Sequence, residues 1–145
     1  MRAFALTWPR PLRAGQVRLW DLRSPAQPVQ QLASHTFAVR RVRFCPHSAS
    51  QLLSASYDMS VCLWDVVTAT HRPQHQYNHH SEFVLGVEWS LFEEGVLASC
   101  GWDGWLHVWP RGVHPAPPPL PPAAGPSPFA PAPVGPPSAG PPGVG

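Results

Sequence analysis

Two stretches of the sequence repeat each other at a fixed distance, and they decide the fold. Residues 35–44, HTFAVRRVRF, stand 45 positions before residues 80–89, HSEFVLGVEW, with a histidine, two valines and an aromatic residue in register. The same offset carries residues 53–58, LSASYD, onto 98–103, ASCGWD, and residues 61–64, VCLW, onto 106–109, LHVW. A third, partial copy, VRLWD at residues 17–21, precedes VCLWD at residues 61–65 by 44 positions. Internal repeats with a period of about 20–50 residues indicate a solenoid, a propeller or another array.

The period and the Trp-Asp ending of the repeat resemble the WD40 family of β-propellers, in which each blade has four strands. Alternation of apolar and polar residues predicts strands at 39–44, 51–56 and 60–64, and again at 84–89, 96–101 and 105–109. A weaker outer strand is expected near residues 73–78, and no clear outer strand follows the last repeat. The expected fold class is all-β, a partial WD40 β-propeller of about two and a half blades.

Composition divides the chain into three parts. Residues 1–14 lack periodicity and resemble nothing in that family, whereas residues 15–110 hold the propeller blades. Residues 111–145 contain 14 of the 21 prolines and few large apolar side chains. Such a tail buries too little surface to offset the entropy of ordering it, so we expect a disordered Pro-, Gly- and Ala-rich segment.

Charge, cysteine usage and apolar runs argue against several classes of function. The formal net charge is +2, and the only basic cluster, Arg40, Arg41 and Arg43, lies on a predicted strand with a solvated face. We therefore expect no nucleic-acid partner. Three widely spaced cysteines favour reduced, buried thiols over a disulfide framework; they are Cys45, Cys62 and Cys100. No apolar run reaches the length of a membrane span, so no direct membrane insertion is expected.

The two fuller repeats each carry four polar residues at equivalent positions. By resemblance to the WD40 pattern, the turn aspartate accepts a hydrogen bond from the histidine that opens the repeat. That histidine meets a strand-two hydroxyl, which meets the indole N–H of the third-strand tryptophan. The two tetrads are His35, Ser54, Asp58 and Trp64, and His80, Ser99, Asp103 and Trp109. Because Asp, His and Ser recur as a set, we interpret them as structural and expect no catalytic residues and no enzyme activity.

Several histidines lie close together between residues 71 and 80. His75 and His79 are spaced as metal ligands on a helix would be. The segment aligns instead with the loop and outer strand between two repeats, and His80 already belongs to a tetrad. We therefore expect no metal and no cofactor.

A narrower resemblance lies in loop residues that the fold does not require. Residues 20–29, WDLRSPAQPV, residues 35–46, HTFAVRRVRFCP, residues 54–58, SASYD, and residues 79–83, HHSEF, resemble the peroxisomal targeting signal type 2 receptors, the seventh peroxin among the peroxisomal biogenesis factors. The resemblance covers about residues 17–109, the C-terminal third of such a receptor. The chain departs from the usual pattern where Ser34 and His79 replace the glycine before the opening histidine, and where Pro110 replaces aspartate.

This resemblance implies an import receptor for peroxisomal matrix proteins. It binds the N-terminal type 2 signal of cargo proteins together with a co-receptor, the long form of the type 1 signal receptor, and it moves between the cytosol and the peroxisomal matrix. The signal is expected to lie as an amphipathic helix across one end of the propeller. The implied peptide-binding residues are Ala38, Arg40, Tyr57, Glu82, Phe83, Leu85 and Trp102. Two alternatives stay open, a generic WD40 scaffold for another protein complex and a catalytic propeller.

Overall fold

A computed structural model describes residues 3–6, 15–68 and 72–116. This part of the chain is all-β, as predicted, and it contains no helix that could cross a membrane. Its strands are β1 (Ala3–Leu6), β2 (Gln16–Asp21), β3 (Gln30–Ala33), β4 (Val39–Phe44), β5 (Gln51–Ser56), β6 (Val61–Asp65), β7 (His75–Tyr77), β8 (Val84–Trp89), β9 (Val96–Gly101) and β10 (Leu106–Pro110). The expectation for the Pro-rich tail falls mainly on residues 117–145, which lie outside the described residues.

The strands form three antiparallel sheets that follow one another along the chain. The sheet orders are β1-β2-β3, then β4-β5-β6-β7, then β10-β9-β8. Only the middle sheet has the four strands of a full blade among the described residues. Strands β6 and β10 each lie one residue later than the alternation predicts, because pairing with β5 and β9 extends to Asp65 and Pro110.

Strand β1 comes from a segment that the sequence sets apart from the repeats. It pairs with β2, with Ala3 opposite Asp21 and Leu6 opposite Arg18. β2 is therefore the middle strand of a three-stranded sheet rather than part of a half-blade. This strand lies before the boundary predicted at residue 15, and its four consecutive apolar residues have no alternation that would predict a strand.

Two apolar clusters hold the three sheets face to face. The cluster between the first and middle sheets contains Val17, Leu19, Leu32, Val39, Leu52, Cys62 and Trp64. The cluster between the middle and last sheets contains Cys45, Leu53, Ala55, Val61, Leu63, Tyr77, Val84, Val87, Trp89, Leu97 and Trp109. Polar contacts join the same two sheets, since Trp89 Nε1 donates to the Arg43 carbonyl at 3.1 Å and Arg43 Nε lies 2.8 Å from Glu88 Oε2. Adjacent sheets thus bury apolar faces against each other, as blades do in a repeat architecture.

The last sheet leaves one apolar face open. Leu106 and Val108 are 69% and 63% exposed, whereas the residues 45 positions earlier, Val61 and Leu63, are fully buried. Cys100 is also exposed, so the prediction of a buried thiol is wrong there. The reason is that no further sheet in the described part of the chain covers this face. We call the surface formed by Cys100, Leu106 and Val108 the open face.

Candidate functional site

The candidate binding surface lies at one end of the middle and last sheets, where the loop before the first strand meets the turn after the second. In the middle sheet, the Tyr57 amide donates to the Ala38 carbonyl at 3.0 Å. In the last sheet, the Trp102 amide donates to the Phe83 carbonyl at 3.0 Å. The two bonds are equivalent under the 45-residue repeat, so the same local structure presents different side chains on each blade.

Three aromatic rings form a continuous row across these two blade ends. Tyr57 stacks on Phe83 with ring centroids 4.9 Å apart, and Phe83 contacts Trp102 at 5.2 Å. Tyr57 and Phe83 are half-buried, while Trp102 is 63% exposed. Distances of this size are favourable for aromatic pairs. We call this set of three residues the aromatic row.

Two other predicted contact residues lie at β-bulges. The register shifts between Val39 and Arg41 and between Val84 and Gly86, so Arg40 and Leu85 are the extra residues. A bulge changes the direction of a side chain and often lies beside a functional site.

The seven predicted residues do not all meet in one place. Tyr57, Phe83 and Trp102 contact one another, whereas Leu85 helps to line a cavity of about 230 Å³ together with Leu106 of the open face. The remaining three are exposed in the adjoining segments; they are Ala38, Arg40 and Glu82.

The first tetrad is a chain of buried hydrogen bonds. His35 Nδ1 lies 2.9 Å from Asp58 Oδ2, His35 Nε2 lies 2.7 Å from Ser54 Oγ, and Trp64 Nε1 donates to Ser54 Oγ at 2.8 Å. Ser60 Oγ also donates to Asp58 Oδ1 at 2.6 Å. Burial raises the pKa of the Asp58 carboxyl, but the hydrogen bonds from His35 and Ser60 outweigh it and hold that pKa well below its usual range. Asp58 is therefore a carboxylate that accepts from several donors.

The second tetrad departs from the expected pattern at its tryptophan. His80 Nδ1 lies 2.7 Å from Asp103 Oδ2, and His80 Nε2 lies 2.8 Å from Ser99 Oγ. Trp109 Nε1, however, is buried with no hydrogen-bond partner in the described part of the chain, so the predicted bond to Ser99 is wrong. Instead, His79 Nε2 contacts Ser99 Oγ at 2.9 Å.

The cause is the residue that precedes the opening histidine. The first repeat has the small side chain of Ser34 there, whereas the second has the imidazole of His79. The His79 ring packs against Trp109 with centroids 4.6 Å apart and occupies the place beside Ser99 that the indole has in the first tetrad.

Three imidazoles meet beside this tetrad. One donor atom from each of His79, His80 and His107 lies within 4.8 Å of the others. Burial lowers the pKa of His79 to about 3 and also lowers the pKa of His107. His107 was not predicted to join this group, because it is remote along the chain and reaches the group only through the pairing of β10 with β9, where it lies opposite Ser99. The 45-residue repeat aligns His107 with Cys62, which lies 4.0 Å from His35 Nδ1. That alignment is the feature of the sequence that would have placed His107 beside His80.

Comparison with known proteins agrees with the repeat architecture. The family model described as "WD domain, G-beta repeat" matches residues 26–65 and 71–110. The chain therefore belongs to the WD40 family. A chain of the crystal structure of the mitotic checkpoint complex superimposes with a TM-score of 0.61 at 24% identity, covering 68% of this chain and 31% of that one. At that identity the match shows the fold alone.

Within this family, the chain is similar to receptors for the second peroxisomal targeting signal, which confirms the narrower resemblance. It is 46% identical over 74 residues to "Peroxisomal targeting signal 2 receptor" of Dictyostelium discoideum, covering 51% of this chain and 23% of that protein. It is 46% identical over 88 residues to "Peroxisome biogenesis protein 7" of Arabidopsis thaliana, covering 61% and 27%. The Mus musculus receptor is 40% identical over 87 residues, covering 60% and 27%. The chain thus spans about a quarter of the length of these relatives, and none of their names is that of an enzyme.

Proposed function

We propose that this chain is part of an import receptor for peroxisomal matrix proteins and that it contributes to binding the type 2 targeting signal. Two independent lines support the proposal. The relatives that it resembles are named for this signal, and the aromatic row supplies an apolar surface at a blade end. The row is the observation that carries the proposal, because the fold does not need an exposed Trp102 there.

The signal binds as an amphipathic helix with its apolar side on the aromatic row. Exposed aromatic side chains are the residues that most often anchor a partner at an interface. Glu82 precedes Phe83 and is exposed, so its carboxylate is suited to the basic residue of the signal. A charge at the rim of an interface acts mainly on orientation and association rate. Ala38 and Arg40 extend the contact on the middle blade, and Leu85 extends it towards the open face.

Cargo recognition in this proposal requires a co-receptor and takes place between the cytosol and the peroxisome. The co-receptor is the long form of the receptor for the type 1 signal, and the complex forms in the cytosol and enters the peroxisomal matrix. The proposal includes no nucleic acid, and Arg43 of the one basic cluster is paired with Glu88 across two sheets.

A grafted receptor tests the proposal. Residues 17–109 replace the corresponding segment of the Mus musculus relative, and binding of a labelled type 2 signal peptide is measured. A peptide with the same composition, in which the basic and apolar positions are exchanged, is the control. We expect saturable binding of the signal and none of the control. Equal binding of both peptides, or of neither, would contradict the proposal.

A generic WD40 scaffold is the second candidate, and the open face favours it. Leu106 and Val108 present an apolar surface that a protein partner would cover. The grafted receptor separates the two functions, since a scaffold does not discriminate between the two peptides.

A further inference from the structure

Two imidazoles that meet His80 of the second tetrad, those of His79 and His107, each have an unused ring nitrogen. His79 and His80 are only 3% and 6% exposed, and His107 is half-buried. Within the described residues, His79 Nδ1 and His107 Nε2 are buried without a hydrogen-bond partner. Buried polar atoms in native proteins nearly always have one. Two unpartnered imidazole nitrogens in one group therefore point to a ligand.

The third imidazole is oriented as metal ligands usually are. His80 Nδ1 donates to the Asp103 carboxylate at 2.7 Å, which fixes the tautomer and directs Nε2 into the group. A carboxylate that holds the far nitrogen of a histidine is the usual outer partner of a zinc ligand. The first repeat has the same pair, His35 and Asp58, but it lacks the other two imidazoles.

The repeat itself separates this group from the structural tetrad. The positions of His79 and His107 are occupied in the first repeat by Ser34 and Cys62, and that blade forms its tetrad without them. Neither histidine is therefore demanded by the fold. His79 even displaces the hydrogen bond that Trp109 would make.

We propose that His79, His80 and His107 bind a divalent transition-metal ion of the zinc class. Three neutral imidazoles with a solvent molecule in the fourth position match the coordination that zinc accepts. The donor atoms lie within 4.8 Å of one another, and bonds of about 2.0–2.1 Å require small rotations that bring them closer. The Ser99 hydroxyl, which contacts both His79 and His80, turns away as the ion enters.

The ion would connect the two edges of the last sheet. His79 and His80 lie just before β8, and His107 lies on β10, with β9 between these strands. An ion that binds the folded chain and not the unfolded one stabilises the fold. The last sheet has three strands among the described residues and one uncovered apolar face, so the ion would add stability to a sheet that few neighbours support.

The test uses Co(II) as a spectroscopic probe on the 145-residue chain, and on the grafted receptor in parallel because an open apolar face promotes aggregation. We expect one Co(II) per chain, with intense visible bands of a four- or five-coordinate ion that Zn(II) displaces. His79→Ser, which copies the first repeat, and His107→Ala each weaken retention by about 10-fold or more. Asp103→Asn weakens it less.

His47→Gln is the matched control, because His47 is an exposed histidine on a turn of the middle blade. It should leave Co(II) retention unchanged. His79→Ser keeps the blade folded by the precedent of Ser34, so loss of metal there is not loss of fold. Weak octahedral bands, no retention by the unmodified protein, or retention by His79→Ser and His107→Ala equal to that of the unmodified protein would overturn the proposal.

Discussion

The indole ring of Trp109 packs edge to face on the imidazole of His79, with ring centroids 4.6 Å apart, and its Nε1 has no hydrogen-bond partner in the described part of the chain. In the preceding blade the equivalent Trp64 donates to Ser54 at 2.8 Å. Two copies of one repeat thus differ at the same indole N–H, which has a partner in one blade and none among the described residues in the other. The residue before the opening histidine decides between them.

Replacing that residue should restore the missing bond. In His79→Ser, the Ser99 hydroxyl loses a competing partner, and Trp109 Nε1 gains access to it. We expect the Trp109 indole proton to move downfield in the proton–nitrogen NMR spectrum of the grafted receptor, towards the position of Trp64. Trp64 itself is the internal control. An unchanged Trp109 signal would mean that the strand position, and not His79, prevents the bond.

Removing the carboxylate of the first tetrad should destabilise the blade. Asp58→Ala leaves His35, Ser60 and the Thr36 amide without their acceptor in a site where the His35 side chain is fully buried. Loss of about 2–4 kcal/mol in the free energy of unfolding is expected, measured by chemical denaturation of the grafted receptor. Glu94→Ala, on an exposed turn, should change it by less than about 0.5 kcal/mol. Equal stability with loss of a chemical activity would refute the structural role.

The Asp58 carboxylate should make the free energy of unfolding decrease at acid pH. The pKa of Asp58 is lower in the folded chain than in the unfolded one, so the unfolded state binds the proton more readily. The stabilisation is complete above the ordinary aspartate pKa of about 3.9 and is lost as the pH falls below it. Asp58→Asn cannot titrate and should have a flatter stability profile below about pH 4. Parallel profiles for the two proteins would contradict this assignment.

Truncating the aromatic row should remove signal binding from the grafted receptor. Trp102→Ala with Phe83→Ala deletes two of three contacting rings, and an aromatic anchor can contribute about 2 kcal/mol or more. We expect the affinity for the signal peptide to fall at least 10-fold. Phe92→Ala is the control, because Phe92 is 95% exposed on the loop at the opposite end of the same blade. An affinity unchanged by the double substitution would remove the row from the binding surface.

The repeat predicted the strands well because it combines alternation with a fixed period. Strands β4, β5, β8 and β9 have the predicted bounds. Properties that depend on a neighbour in space were not predictable in this way. Strand β1 has no alternation, Cys100 is exposed only because no described sheet covers it, and His107 joins the other histidines only through strand pairing. The hydrogen bond predicted from Trp109 to Ser99 does not form, because the His79 imidazole competes for the Ser99 hydroxyl.

The last prediction concerns the chain by itself. The three sheets of its described residues are fewer than the four to eight blades of a closed propeller, and repeat proteins derive much of their stability from contacts between neighbours. The open face exposes Leu106 and Val108 beside the outer edge of β10, and no strand in the described residues pairs with that edge. An unpaired edge next to an apolar face is a site of association. We expect the isolated chain to associate or fold only partly, and to bind the signal peptide undetectably.

Leu106→Lys with Val108→Lys should reduce the association measured by analytical ultracentrifugation. Leu91→Lys should not, although Leu91 is also 69% exposed, because it lies on a turn away from that edge. A monomer with a sharp thermal transition and micromolar affinity for the signal would prove this prediction wrong.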